Sequence, residues 1–105
     1  MGIAFTYQGA SGRTYEFLLV DLANPKALPW HAGVFTFAAF VPKPLYFGEG
    51  ANLYQAMTAS FGSLFENTLP RTIVAHLRLE PGAAERAATV ADLVEMFRPP
   101  LNRQK

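Results

Sequence analysis

The sequence predicts an α+β domain: a small, mostly antiparallel sheet with two packed helices. Three observations point there. The chain has 105 residues, the usual size of one domain. Half of its residues are apolar and 16% are charged, a core-forming composition rather than a disordered one. Its patterns run hairpin, hairpin, helix, strand, helix, without the alternation that builds a parallel sheet. No linker, repeat or low-complexity stretch divides residues 1–105, so a single domain is expected.

The elements follow in order. Ile3 to Tyr7 reads as a strand, and Gln8-Gly9-Ala10-Ser11-Gly12 as a turn with two glycines available for positive φ. Arg13 to Leu22 returns as a strand, with Tyr15, Phe17 and Leu19 alternating against Glu16 and Leu18. Asn24-Pro25 and Leu28-Pro29 bound a loop that carries Trp30 and His31; the pair is expected to plug that loop against the sheet. Gly33 to Val41 is nearly all apolar and predicts a central, well-covered strand. Pro42-Lys43-Pro44 turns it, Leu45 to Gly48 forms a short partner strand, and Gly48-Glu49-Gly50-Ala51 is a tight link.

Asn52 is a good helix N-cap. Behind it Leu53, Ala56, Met57, Phe61, Leu64 and Phe65 recur at helical spacing, with Gly62 as a candidate early stop. Thr72 to Glu80 alternates: Ile73, Ala75, Leu77 and Leu79 share one face, and Thr72, Val74, His76, Arg78 and Glu80 the other. That predicts a half-exposed strand with His76 on its polar face. Ala83 to Arg98 has good helix propensity throughout, and Pro99-Pro100 stops it.

Composition narrows the function classes. Nine basic and eight acidic residues leave a formal charge of +1, so net charge gives no argument for nucleic-acid binding. With no cysteine, disulfides, thiolate metal sites and a Cys nucleophile are excluded. The longest apolar run is far too short to cross a bilayer, and the N-terminus has no signal-peptide pattern. No membrane association is expected, and a cytoplasmic location is the expectation. Mean hydropathy is slightly positive, at +0.12, which favours some apolar surface covered by a partner chain. The N-terminal hairpin carries Tyr7, Tyr15, Phe17 and the Leu18-Leu19-Val20 run. A homodimer paired through this hairpin or an edge strand is therefore expected.

Gly33-Val34-Phe35, ten intervening residues and then Tyr46-Phe47-Gly48 resemble the two signature tripeptides of the GIY-YIG nuclease superfamily. Asn52-Leu53 resembles the start of that family's first helix, and Pro99-Pro100-Leu101-Asn102 its closing segment. The resemblance covers residues 29–102. Residues 1–28 stand as an added hairpin and residues 103–105 as a tail. It implies a metal-dependent phosphodiesterase with two tyrosines near the nucleophilic water, a phosphate-holding Arg, a metal-binding Glu and an Asn that helps set the site.

Carried over residue by residue, Tyr46 and Asn102 survive as candidate site residues. The first Tyr position is Phe35, the Arg position is Ala56, and the metal Glu position is Val90. None of these three has a group that can orient water, hold phosphate or bind a metal. The expectation is thus a catalytically degenerate member acting as a non-catalytic protein- or nucleic-acid-interaction module. It needs no cofactor and has no metal site. The alternatives are an endonuclease with relocated residues (Tyr46, Glu49, Asn102 and His76), which would use Mg²⁺ or Mn²⁺, and a structural oligomerisation domain. Arg86, Arg98 and Arg103 are the candidate nucleic-acid contacts, with Arg86 one turn before Val90 on a similar helix face. Glu49 is read as a carboxylate favoured by the adjacent helix N-terminus, and Tyr46 as a strand tyrosine with its ring in the core and its tip wet.

Overall fold

The computed structural model describes residues 4–20, 29–39, 43–65 and 73–103. The expectations for Ile3, for Asp21 to Leu28, for Phe40 to Pro42, for Thr72 and for the last two residues lie outside them. Five strands and two helices follow in the order β1 (Ala4–Gln8), β2 (Thr14–Val20), β3 (Gly33–Ala39), β4 (Lys43–Gly50), α1 (Leu53–Leu64), β5 (Ile73–Leu79) and α2 (Ala83–Phe97). A 3₁₀ turn over Pro100–Arg103 follows α2. All strands lie in one sheet of order β1-β2-β5-β3-β4, and every pairing is antiparallel. The α+β class is therefore as the sequence predicts. The N-terminal hairpin is no appendage, because β2 pairs with β5 and makes it part of the same sheet.

The sheet is strongly curled. β1 and β4 are its two edges, and in a flat sheet four strand spacings would hold them roughly 19 Å apart. Yet the rings of Tyr7 on β1 and Phe47 on β4 meet edge to face with centroids 5.8 Å apart. Phe97 at the end of α2 touches both rings. The curl makes a trough, and α2 lies in it: Leu93 is buried against Tyr7, Tyr15, Phe17, Val34 and Phe47, with Val90 and Val94 alongside. The opposite face carries α1, whose Leu53 and Met57 pack with Phe35, Phe37, Phe65, Ala75 and Leu77. Strand β3 separates the two cores and is buried on both faces, which is why its sequence is an almost unbroken apolar run.

Local chemistry fixes the connections. Gly12 N–H donates to Gly9 O, Gly9 N–H donates to Arg13 O, and Gly12 has φ +90°. That is a three-residue hairpin loop closed by a left-handed glycine, a conformation that side chains disfavour. Asn52 caps α1 as expected, its Oδ1 accepting from Gln55 N–H at 3.1 Å. Gly62 does not stop the helix, which runs on to Leu64.

Three further expectations change. Strand β4 starts at Lys43 and runs to Gly50, so Lys43-Pro44 is not a turn and Glu49-Gly50 not a link. Pro44 is accommodated because β4 is an edge strand. The pairing steps from Phe37↔Tyr46 to Ala38↔Pro44, leaving Leu45 as a bulge. The supposed polar face of β5 is not exposed: His76 is 0% accessible, because that face lines the trough, while Leu79 on the other face is 55% exposed. Trp30 does not plug the loop against the sheet. It is 66% exposed and stacks on Tyr54 of α1, with centroids 5.2 Å apart and rings 10° from parallel.

Candidate functional site: a groove between β4 and α2

Tyr46 and Asn102 come together. A groove of about 430 Å³ runs between the edge strand β4 and α2, lined by Tyr46, Phe47, Gly48 and Glu49 on one side and by Ala87, Val90, Ala91 and Val94 on the other, with Asn102 at its end. The α2 wall is a helical stripe, since positions 87, 90, 91 and 94 fall on one face. A second groove of about 470 Å³ shares Val94 and Asn102 and adds Glu95, Arg98 and Pro99.

Each expected site residue has a definite place. Asn102 is a clamp: its Oδ1 accepts from Phe47 N–H at 2.8 Å, and its Nδ2 donates to Phe47 O at 2.9 Å. The amide thus satisfies both outward main-chain groups of one edge-strand residue, as a neighbouring strand would. Tyr46 is half-buried beside Phe35 and Phe37 on the α1 side, while lining the groove. Phe35 is buried, and its ring covers Gly48, where a Cβ would come within 2.5 Å of Phe35 Cζ. Ala56 packs against the same core. Val90 packs against the other core, across the sheet. The groove therefore gathers Tyr46, Glu49, Val90 and Asn102, and it does not gather Phe35 or Ala56.

The cations are differently disposed. Arg86 is only 7% exposed. Its Nε donates to Glu49 Oε1 at 2.7 Å, and its Nη1 donates to the carbonyls of Pro81 at 2.7 Å and Glu80 at 3.3 Å. So Glu49 answers a buried guanidinium, which is a stronger attraction than the helix terminus expected from sequence. Arg98 is exposed at the mouth of the second groove. It holds φ +46° and caps α2 by donating its N–H to Val94 O. Arg103 closes the 3₁₀ turn, and its side chain lies outside what the structure describes. His31 is exposed beside Trp30.

The divalent cation that the resemblance implies does not fit these residues. Val90 has no donor atom, and the one carboxylate lining the β4 side, Glu49, already faces Arg86. Among the described residues no group of three or more His, Asp or Glu is placed to hold a metal ion. No helix among them is long and apolar enough to cross a membrane.

Two polar centres beneath and beside α2 were not legible as such. His76 accepts or donates at Nδ1 with the Tyr7 hydroxyl, 2.7 Å away, and Phe5 stacks on its ring at 4.2 Å. Its Nε2 is buried and has no hydrogen-bond partner among the described residues. Burial pulls the His76 pKa down and pushes the Tyr7 hydroxyl up to about 12. Asp92 on α2 binds the hairpin turn: it accepts from Ser11 N–H at 2.8 Å, Ser11 Oγ at 2.7 Å and Tyr15 OH at 2.8 Å. The Ser11 hydrogen bond, first among these, holds the Asp92 carboxyl below its ordinary range. Burial and then the Asp92 bond raise that of Tyr15. His76 therefore belongs to a packed cluster away from the groove lining and does not join Tyr46, Glu49 and Asn102.

Comparison with family models, with curated proteins and with solved structures finds no match.

Proposed function

We propose that this chain is a GIY-YIG-like domain whose reactive positions have become packing residues, and that it works as a non-catalytic protein-binding module through the β4–α2 groove. The observation that carries the reading is the groove's chemistry. Its α2 wall is Ala87, Val90, Ala91 and Val94, and the charge beside it is spent internally in the Arg86–Glu49 pair. Such a channel offers apolar contact and a few fixed polar groups, which suits a peptide side chain better than a polyphosphate. The resemblance is supported by the placement of its motifs. The two tripeptides fall on the paired strands β3 and β4, Asn52 caps α1, and Asn102 follows α2.

The nuclease alternative draws on the joint presence of Tyr46, Glu49 and Asn102 in the groove lining. One experiment separates the two. The intact chain is used to select binders from a displayed library of random peptides, and in parallel is incubated with mixed DNA and RNA plus Mg²⁺ or Mn²⁺. Peptides enriched on the native chain and lost on Ala91→Glu, an exposed position on the groove wall, are expected. No enrichment, or metal-dependent cleavage that disappears in Tyr46→Phe, overturns the proposal.

A further inference from the structure

The two edges of the sheet are treated differently. At β4, four devices oppose further strand pairing: Pro44, the exposed Lys43, the bulge at Leu45 and the Asn102 clamp on Phe47. At β1 there is none of these. Ala4-Phe5-Thr6-Tyr7-Gln8 has no charge, no proline and no bulge against β2, and no side-chain hydrogen bond to its main chain is made among the described residues. The Gln8 side chain turns back to Gly12 O within its own hairpin.

The hairpin phase decides which main-chain groups of β1 face outward. Gly9 N–H donates to Arg13 O, so Gly9 and Arg13 form a hydrogen-bonded pair. Pairing proceeds from there without a shift, so Tyr7↔Tyr15 and Phe5↔Phe17 are hydrogen-bonded pairs as well. The N–H and C=O groups of Ala4, Thr6 and Gln8 therefore point away from β2, along an edge whose side chains at those positions are exposed.

This set matches itself. We propose that a second copy of this chain pairs antiparallel through β1, with the two-fold axis at Thr6. Thr6 then faces Thr6 of the other copy, and Ala4 faces Gln8, so the three outward positions of each strand meet outward positions of the other. Phe5 faces Tyr7 across the seam on the trough side, an aromatic cross-strand pair. Phe97, 37% exposed and in ring contact with Tyr7, and Leu18, 46% exposed opposite Ala4, flank the seam with apolar surface. The nearest carboxylate on the outer face, Glu16 opposite Thr6, lies one strand in from the edge. Two such groups stand about 14 Å apart across three strand spacings, beyond the Debye length at physiological salt.

The absence of cysteine makes the register directly testable. Thr6→Cys is expected to cross-link to itself on mild oxidation, because a hydrogen-bonded antiparallel pair sets Cα atoms about 5.5 Å apart, within disulfide reach. Gln8→Cys alone is expected to stay monomeric in denaturing electrophoresis, since its two copies sit roughly 14 Å apart in this register, four residues along the strand and one strand spacing across. The unmodified chain should give a dimer mass by light scattering at roughly 100 μM, well above a micromolar Kd. Thr6→Lys and Thr6→Pro should both give a monomer with an unchanged circular dichroism spectrum. The proline removes only an outward N–H, so it leaves the fold's own ladder intact. A monomeric unmodified chain, a dimer that survives both Thr6 variants, or faster cross-linking at Gln8 than at Thr6 overturns the proposal.

Discussion

The two faces of the sheet solve burial in different ways. On the α1 side Phe35, Phe37, Leu53, Met57, Ala75 and Leu77 meet with no buried charged or hydrogen-bonding side chain among them. On the α2 side the buried set includes His76, Thr36, Arg86 and Thr89 together with the hydroxyls of Tyr7 and Tyr15. The α1 face is held by area and fit. The α2 face also needs particular partners, because each polar group taken from water costs free energy unless a hydrogen bond replaces what it lost. Specific linkage is what lets α2 join β4, the β5–α2 connection and the N-terminal hairpin, through Arg86–Glu49, Thr89–Glu80 and Asp92–Ser11.

The largest effect should come from the apolar face. Phe37 is fully buried and touches the rings of Phe35, Tyr46, Phe61 and Phe65. Phe37→Ala should cost about 3–5 kcal/mol, from lost transfer free energy plus a cavity that rigid β3 cannot close. Urea unfolding followed by circular dichroism measures it. A loss below about 1 kcal/mol would mean that the α1 face is not the closely packed core described.

The polar face should declare itself through pH. The folded His76 has its pKa lowered by burial, below the unfolded value of 6.5. The unfolded chain therefore binds the extra proton first. Stability is insensitive to this group above pH 6.5, and it falls by up to about 1.4 kcal/mol per pH unit as the pH drops from there toward the lowered folded pKa. Asp92, whose pKa is depressed, adds its own loss only below its ordinary value of 3.8. Denaturant titrations at a series of pH values should show the first slope in the native chain and its absence in His76→Gln. An unchanged slope in that variant would assign the dependence to another group.

This division also explains what could be read from the residues alone. The central strand β3 was legible because burial on both faces leaves an apolar run with no competing reading. The alternation in β2 correctly paired Tyr15 with Phe17, both buried. In β5 the same rule sorted residues onto two faces correctly, but it could not say what covers each face. His76 is buried because Tyr7, 69 residues away, meets it, and no local pattern carries that pairing. For the groove, the apolar character of Val90 was visible in the sequence, whereas the seating of Phe35 and Ala56 in the α1-side core, off the groove, was not. The engagement of Arg86 was not, since Glu49 lies 37 residues away and reaches it only when β4 passes beside α2. Asn102 was singled out on motif grounds, and its geometry gives it a physical task that the motif does not state, the closing of an edge strand.

The smallest effect worth measuring lies where the polar face ends, at the hairpin turn. Tyr15 is buried, with the guanidinium of Arg13 5.6 Å and that of Arg78 5.4 Å from its ring centroid, and its hydroxyl donates to Asp92 Oδ2. Tyr15→Phe keeps the ring, its packing and both cation contacts, and deletes one hydrogen bond of the three side-chain-accepted bonds on Asp92. The two from Ser11 remain, so the hairpin should stay docked and global unfolding should change little. Local opening should become easier. Exchange of the Ser11 amide, which donates to Asp92 Oδ1, should quicken by about fivefold, the weight of one net hydrogen bond. The amides of β3, locked between both neighbours, should not respond. Equal acceleration at β3 would mean that the hairpin and the sheet open as one unit, and that the polar linkages of the α2 face are not separable from the apolar core across the sheet.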